Sequence, residues 1–214
     1  MVDYKKIALI DYGMGNLRSV SNALLSIGAD PIIVSNPGQL GDVHGIILPG
    51  VGAFPSGMNN LHRFGFVKAL DKEVVRGGKL MLGICLGMQL LATIGHEHNT
   101  CDGLNLVPGQ VDRLSIRTQT PRLRIPHIGW NDIQIRHTKG LYTNIPDNEN
   151  FYFVHSYAFK PANDCVVSAT CCHGIEFAAS LEVENISAVQ FHPEKSHRSG
   201  IKLLKNWLRM VEKC

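Results

Sequence analysis

The sequence predicts an α/β fold: a mostly parallel central sheet flanked by helices, with extra mixed β-strands in the second half. Three observations carry this. In the first half, apolar runs of strand length alternate with segments of helical period. Those runs are nearly continuous rather than alternating, as in strands covered on both faces. In the second half, helical periodicity gives way to short strand-like runs separated by turns. The chain has 214 residues, 44% of them hydrophobic and 18% charged. It is read as one domain, 1–214, large enough to bury a core without disulfides or metal.

Residues 6–11 (KIALID) form the first expected strand, punctuated by Gly13 and Gly15. In 16–27, Leu17, Val20, Leu24 and Ile27 fall on one helical face. Residues 31–34 and 45–48 are the next strands, the second stopped by Pro49. A helix is expected over 66–75, closed by Gly77 and Gly78. Residues 79–84 form a fourth strand, and a helix over 86–94 leaves directly from it. Strands then follow at 107–116, 129–135, 151–158, 165–170, 175–179 and 186–191. A helix over 200–211 closes the chain, with Trp207 read as core. There is no internal repeat, linker or low-complexity tract.

Composition excludes several function classes. The net charge of +3 is small and scattered, so nucleic-acid binding is not expected. The apolar run before Asp11 is too short for a signal peptide. The most apolar stretch, 80–94, contains Gln89, Thr93 and two glycines and is too short and mixed to span a bilayer. The expected compartment is cytoplasmic. The six cysteines are accordingly not read as a disulfide framework.

One cysteine stands apart. Gly83-Ile84-Cys85-Leu86-Gly87 lies between an expected strand and an expected helix. A sharp strand-to-helix turn pushes a nucleophile out of the sheet, and flanking glycines permit close chain approach. The helix N-terminus favours thiolate, and the N–H of Leu86 is free to stabilise an oxyanion. A cysteine in an apolar strand is often merely buried. Here, however, His192-Pro193-Glu194 follows the last expected strand. Pro193 favours an extended His192, which puts 192 and 194 on the same side. Glu194 then orients the His192 ring toward Cys85, a nucleophile–base–orienter set. Pro49-Gly50-Val51-Gly52 follows the third strand and offers a second oxyanion donor; its plain alternative is an ordinary turn.

Together PGVG, GICLGMQLL and FHPEKS resemble the class I, triad-type glutamine amidotransferases over nearly the whole chain. The resemblance implies a flavodoxin-like amidotransferase fold and hydrolysis of glutamine through a glutamyl thioester. It implies Cys85 as nucleophile, His192 as general base and acid, and Glu194 as its orienter. The oxyanion donors would be the N–H groups of Gly52 and Leu86. Gln89, Glu97, Ser156 and Tyr157 match positions that hold the glutamine backbone. Further features, DYGMGN at 11–16, PHIGWN at 126–131, YFVHSY at 152–157 and Lys195-Ser196, resemble the branch of glutaminase subunits of imidazole glycerol phosphate synthases. That likeness implies a heterodimer with a (βα)8-barrel cyclase subunit, which receives the ammonia and makes imidazole glycerol phosphate and AICAR in histidine biosynthesis. Asn16, Trp130, Tyr152 and Lys195 match interface positions. No cofactor is implied. The segment 96–101 (HEHNTC) departs from the acidic segment usual there.

Other residues carry weaker signals. His96, His98 and Cys101 fit no defined zinc spacing, and adjacent Cys171 and Cys172 point oppositely on a strand, so no metal site is expected. The 13–16 loop lacks the third glycine of a dinucleotide fingerprint and the lysine of a P-loop. Three other functions compete: a paralogue supplying ammonia for surface-sugar amidination, a stand-alone cysteine hydrolase of γ-glutamyl peptides, and a silent scaffold with a redox cysteine. The last has no need of His192 and Glu194.

Overall fold

The structure, a computed structural model, describes residues 5–115 and 123–213. The first half contains β1 (Lys6–Ile10), α1 (Leu17–Leu25), β2 (Asp30–Val34), β3 (Gly45–Gly50), α2 (Phe54–Arg63), α3 (Phe66–Leu70), β4 (Leu80–Cys85) and α4 (Leu86–Gln89). The second half adds β5 (Ile94–Gly95), β6 (Cys101–Asp102), β7 (Gly109–Arg113), β8 (His127–Ile135), β9 (Asn150–His155) and β10 (Tyr157–Pro161). It closes with β11 (Val167–Cys172), β12 (Glu176–Val183), β13 (Ile186–Val189) and α5 (His197–Val211).

A nine-stranded sheet runs in the order β2-β1-β3-β4-β13-β12-β11-β8-β9. Pairing is parallel from β2 to β13 and antiparallel from β13 to β9. A second sheet of four strands has the order β10-β7-β5-β6. Alternate residues of the central strands feed two cores. Ile7, Leu9, Ile47 and Leu82 pack with Val20, Leu24, Leu203 and Trp207 from α1 and α5. Ala8, Ile10, Ile46, Leu48 and Met81 pack with Phe54, Met58, Leu61 and Phe66 from α2 and α3. Burial on both faces is why these strands read as unbroken apolar runs.

The order of strands positions the chemistry. β4 lies between β3 and β13, with Gly50 opposite Cys85 and Val189 opposite Ile84. The PGVG loop, the cysteine and His192 therefore leave three neighbouring parallel strands at their carboxyl ends, where open α/β sheets place ligands.

Several elements differ from expectation. The helix expected over 86–94 stops after one turn. The backbone of Gly103, Leu104, Asn105 and Leu106 donates to the carbonyls of Thr93, Leu90, Ala92 and Leu91, so those carbonyls are satisfied by another segment. α2 was not expected, because Pro55 and Gly57 obscure its pattern. Its buried residues Phe54, Gly57, Met58 and Leu61 nonetheless have helical spacing, and Pro55 sits where proline is compatible with a helix start. A Cβ on Gly57 would press to 3.0 Å from Leu90, so the glycine lets α2 lie against the nucleophile turn. The strand expected over 151–158 breaks at Ser156 into β9 and β10, which belong to different sheets. The helix expected over 66–75 is α3 followed by a π-helical Asp71–Arg76. The strand expected over 107–116 is β7, and residue 116 lies outside the described residues, as does Cys214.

Candidate active site

Cys85 sits at φ 54° and ψ −109°, a conformation that L-residues rarely adopt. The glycines around it are needed for close approach. A Cβ on Gly83 would lie 2.9 Å from the Gly87 carbonyl oxygen, and one on Gly87 would overlap the Leu48 carbonyl. The turn aims the side chain at a pocket floor rather than at open solvent: Cys85 is 6% exposed. Its sulfur is 4.0 Å from the Val154 carbonyl and 3.8 Å from Gln190 Nε2, which donates to it. The N–H of Leu86, in the first turn of α4, has no acceptor within its helix. Because α4 is a single turn, its dipole is smaller than the expected long helix would provide.

His192 is buried and its Nδ1 lies 2.8 Å from Glu194 Oε1. Its backbone N–H donates to the Tyr152 carbonyl at 2.9 Å, and Ser196 Oγ donates to the His192 carbonyl at 2.6 Å. These bonds tie the histidine to β9. The two residues meet differently from expectation. His192 itself is extended, but Pro193–Lys195 form a 3₁₀ turn, and that turn rather than strand geometry brings Glu194 to the ring. His192 Nε2 and Glu194 Oε2 have no hydrogen-bond partner among the described residues. Burial alone would push the imidazole down. The adjoining Cys85 sulfur and Glu194 carboxylate outweigh it and raise the ring to about 9. A ring shifted in this direction favours its protonated form, the form that a general acid needs.

A pocket of about 440 Å³ opens at Cys85, and Gly52, Leu86, Gln89, Glu97, Ser156 and Tyr157 all line it. Every residue that the sequence proposed for oxyanion or substrate binding is therefore gathered there. Gly52 has φ 113°, open to glycine alone at no strain. Gln89 is buried, and its Nε2 donates to the Tyr157 carbonyl at 2.9 Å and to Gln190 Oε1 at 3.0 Å. One oxygen of Glu97 accepts the backbone N–H of Phe54 at 2.7 Å, joining the 96–101 segment to the start of α2. Sequence reasoning missed Gln190, His155 and Tyr12. Gln190 precedes FHPE inside an apolar strand, where a buried amide was the available signal. The Tyr12 hydroxyl is fully buried without a partner among the described residues, close beside Gly50. Burial, then the charge of Cys85, push it upward.

The proposed interface positions cluster on one side. Trp130 is 46% exposed on β8, with its ring 6.0 Å from Tyr152 and stacked on His197 at 4.8 Å. Lys195 Nζ stands 5.9 Å from the Tyr152 ring. Lys195 lines both the pocket at Cys85 and a broad groove beside Trp130, so it joins the two. Asn16 caps α1 by accepting the Ser19 N–H at 3.3 Å, and α1 packs against the 193–195 turn. Elsewhere, His96 Nδ1 pairs with Thr100 at 3.3 Å. Cys171 is buried and Cys172 exposed, pointing oppositely as expected. Among the described residues, no group of three His, Cys, Asp or Glu has metal-binding geometry, and no helix is long and apolar enough to cross a membrane.

The chain is similar to known proteins over nearly its whole length. The chain is 44% identical over 207 residues to imidazole glycerol phosphate synthase subunit HisH of Geobacter sulfurreducens, covering 96% of this chain and 99% of that one. It is 45% identical over 204 residues to subunit HisH 1 of Campylobacter jejuni, covering 95% and 100%. A crystal structure of a glutamine amidotransferase shares the fold at TM-score 0.74 and 19% identity, covering 96% of this chain and 98% of that one. The structure of PurLQS from Thermotoga maritima does so at TM-score 0.73 and 20% identity, covering 97% and 99%. Residues 8–211 match the family described as Glutamine amidotransferase class-I, and the chain belongs to that family.

Proposed function

We propose that this chain is the glutaminase subunit of an imidazole glycerol phosphate synthase in histidine biosynthesis, acting in the cytoplasm. The observation that carries the catalytic part is the strained Cys85 on a pocket floor, with a buried imidazole nearby that Glu194 holds at 2.8 Å. The Cys85 thiolate attacks the side-chain carbonyl carbon of glutamine. The N–H groups of Leu86 and Gly52 receive the oxyanion. His192 Nε2 gives its proton to the departing nitrogen, the carbon–nitrogen bond breaks, and ammonia leaves a glutamyl thioester on Cys85. The now neutral His192 takes a proton from water, which attacks the thioester. Collapse returns the thiolate, releases glutamate and restores the imidazolium. Glu194 keeps the ring oriented throughout. Glu97, the free oxygen of Gln89 and the backbone of Ser156 and Tyr157 hold the α-amino and α-carboxyl groups of glutamine.

The ammonia passes to a (βα)8-barrel cyclase subunit seated against Asn16, Trp130, Tyr152 and Lys195. That subunit uses it to make imidazole glycerol phosphate and AICAR. The subunit names of the close relatives and the exposed Trp130, packed against a half-buried Tyr152, support this assignment. The test is glutamine hydrolysis by the purified chain, with and without the cyclase and its nucleotide substrate. Low activity alone and strong activation in the complex are expected. Full activity of the chain alone would overturn the subunit reading and favour a stand-alone hydrolase.

A further inference from the structure

A chain of hydrogen bonds runs from β8 to Cys85, and two backbone carbonyls, of Tyr157 and Cys172, fix the donors along it. The Tyr157 carbonyl can only accept, and it receives His155 Nδ1 at 2.8 Å and Gln89 Nε2 at 2.9 Å. His155 therefore carries its proton on Nδ1. Its Nε2 accepts from His127 Nδ1 at 3.0 Å. His127 Nε2 accepts in turn from the Asn131 amide nitrogen at 3.2 Å, whose identity follows from its other bond, 3.0 Å to the Cys172 carbonyl. In the opposite direction, Gln89 donates to Gln190 Oε1, and Gln190 turns its nitrogen to the Cys85 sulfur.

Both histidines must be neutral for this order to hold, and their surroundings keep them so. Burial pushes His127 down to about 3 and His155 down to about 4. The rings are also held in place. His127 stacks on Phe153 at 4.8 Å and on His173 at 4.1 Å, and His155 meets the edge of Phe177 at 4.9 Å. As a result both lone pairs of the Tyr157 carbonyl are filled, and both N–H groups of Gln89 are used. Only the Gln89 oxygen is left to face the pocket. A free glutamine side chain could present either end; this one cannot.

We propose that His127 and His155 are positioning residues for substrate glutamine, clamping the Tyr157 carbonyl so that Gln89 presents its oxygen to the substrate's α-ammonium group. The proposal rests on the glutaminase reading above. Its test compares His127→Phe, His155→Phe and His155→Asn with wild type, each assembled with the cyclase subunit. His155→Asn keeps a donor near the position of Nδ1. KM for glutamine should rise about tenfold in both Phe variants while kcat stays within about threefold, and His155→Asn should recover most of the loss. Thermal midpoints near that of wild type establish that the variants are folded. Unchanged KM in folded Phe variants overturns the proposal, as does a fall in kcat that matches the rise in KM. Long-range proton–nitrogen NMR of the wild-type chain gives a reading independent of activity. Both rings should be Nδ1–H tautomers at neutral pH, and an Nε2–H tautomer on either overturns the proposal by itself. A wild-type complex that releases no ammonia from glutamine overturns the glutaminase reading and the proposal with it.

Discussion

At the scale of single residues, the proposed mechanism separates atoms that react from atoms that orient. Cys85→Ala should abolish glutamine hydrolysis without unfolding the chain, while the partner's ammonia-dependent synthesis survives; ammonia release and added-ammonia assays distinguish the two. His192→Asn should cost about 10²- to 10⁴-fold in kcat, because it removes the group that moves the proton. Glu194→Gln should cost less, since it only orients and stabilises the ring, and equal losses would contradict that role. The raised His192 also links stability to pH. A base whose folded value lies above its unfolded one binds the proton more tightly when folded. Its stabilisation is fully present below about pH 6.5 and lost as pH rises toward about 9. Urea unfolding across that window should show stability falling with pH, with a shallower slope in Cys85→Ala, where the sulfur no longer holds the proton. Tyr12→Phe removes a buried hydroxyl with no partner among the described residues. It should leave the thermal midpoint equal or higher, since such a hydroxyl costs about 1–3 kcal/mol.

At the scale of elements, close approach governs what may change. β3, β4 and α4 meet so tightly at Gly87 that a methyl group there would meet the Leu48 carbonyl. Gly87→Ala should therefore destabilise the fold by about 1–3 kcal/mol and shift the nucleophile, so that thermal midpoint and kcat fall together. Glu97 acts in two elements at once, since it holds the start of α2 and faces the pocket. Glu97→Gln keeps an acceptor for the Phe54 N–H and should preserve stability while raising KM for glutamine. Glu97→Ala should lose both. The early end of α4 has the same kind of cause. Its apolar residues continue past Gln89 with helical character, but the 103–107 segment takes their carbonyls, a partner that no local pattern reveals.

At the scale of the whole molecule, the proposed triad lies between the pocket at Cys85 and an exposed groove that Glu194 lines. Lys195 lines both cavities, and its Nζ stands 5.9 Å from the ring of Tyr152, which Trp130 meets edge-on. A partner docking there as proposed would press on the 193–195 turn, which holds Glu194 beside His192. Lys195→Ala should weaken association or uncouple synthesis from glutamine hydrolysis, with ammonia-dependent synthesis retained. Titration calorimetry and coupled assays with both nitrogen sources would check it; unaltered affinity and coupling would remove Lys195 from the interface.

The sequence by itself determined the alternation of strands and helices, the two-faced burial of the central strands and the nucleophile turn. Each of these is written locally: apolar runs without alternation, glycines two residues either side of Cys85, and a proline after His192. It also held the three motifs proposed for the triad and oxyanion loop, because such chemistry needs particular residue types at short spacing. Their convergence was decided only by tertiary structure, through the strand order that sets β4 between β3 and β13. Strand pairing is a contact between distant segments, so no local period encodes it. The same holds for the break at Ser156, where the chain passes from one sheet to the other. It holds again for the His127–His155 pair, which the sequence leaves unrelated, His127 just ahead of the strand expected over 129–135 and His155 inside the one expected over 151–158. Pairing of β8 with β9 sets His127 opposite His155, and burial between aromatic rings makes them neutral. A buried polar group finds its partner wherever the fold provides one, and that location is a property of the packed chain.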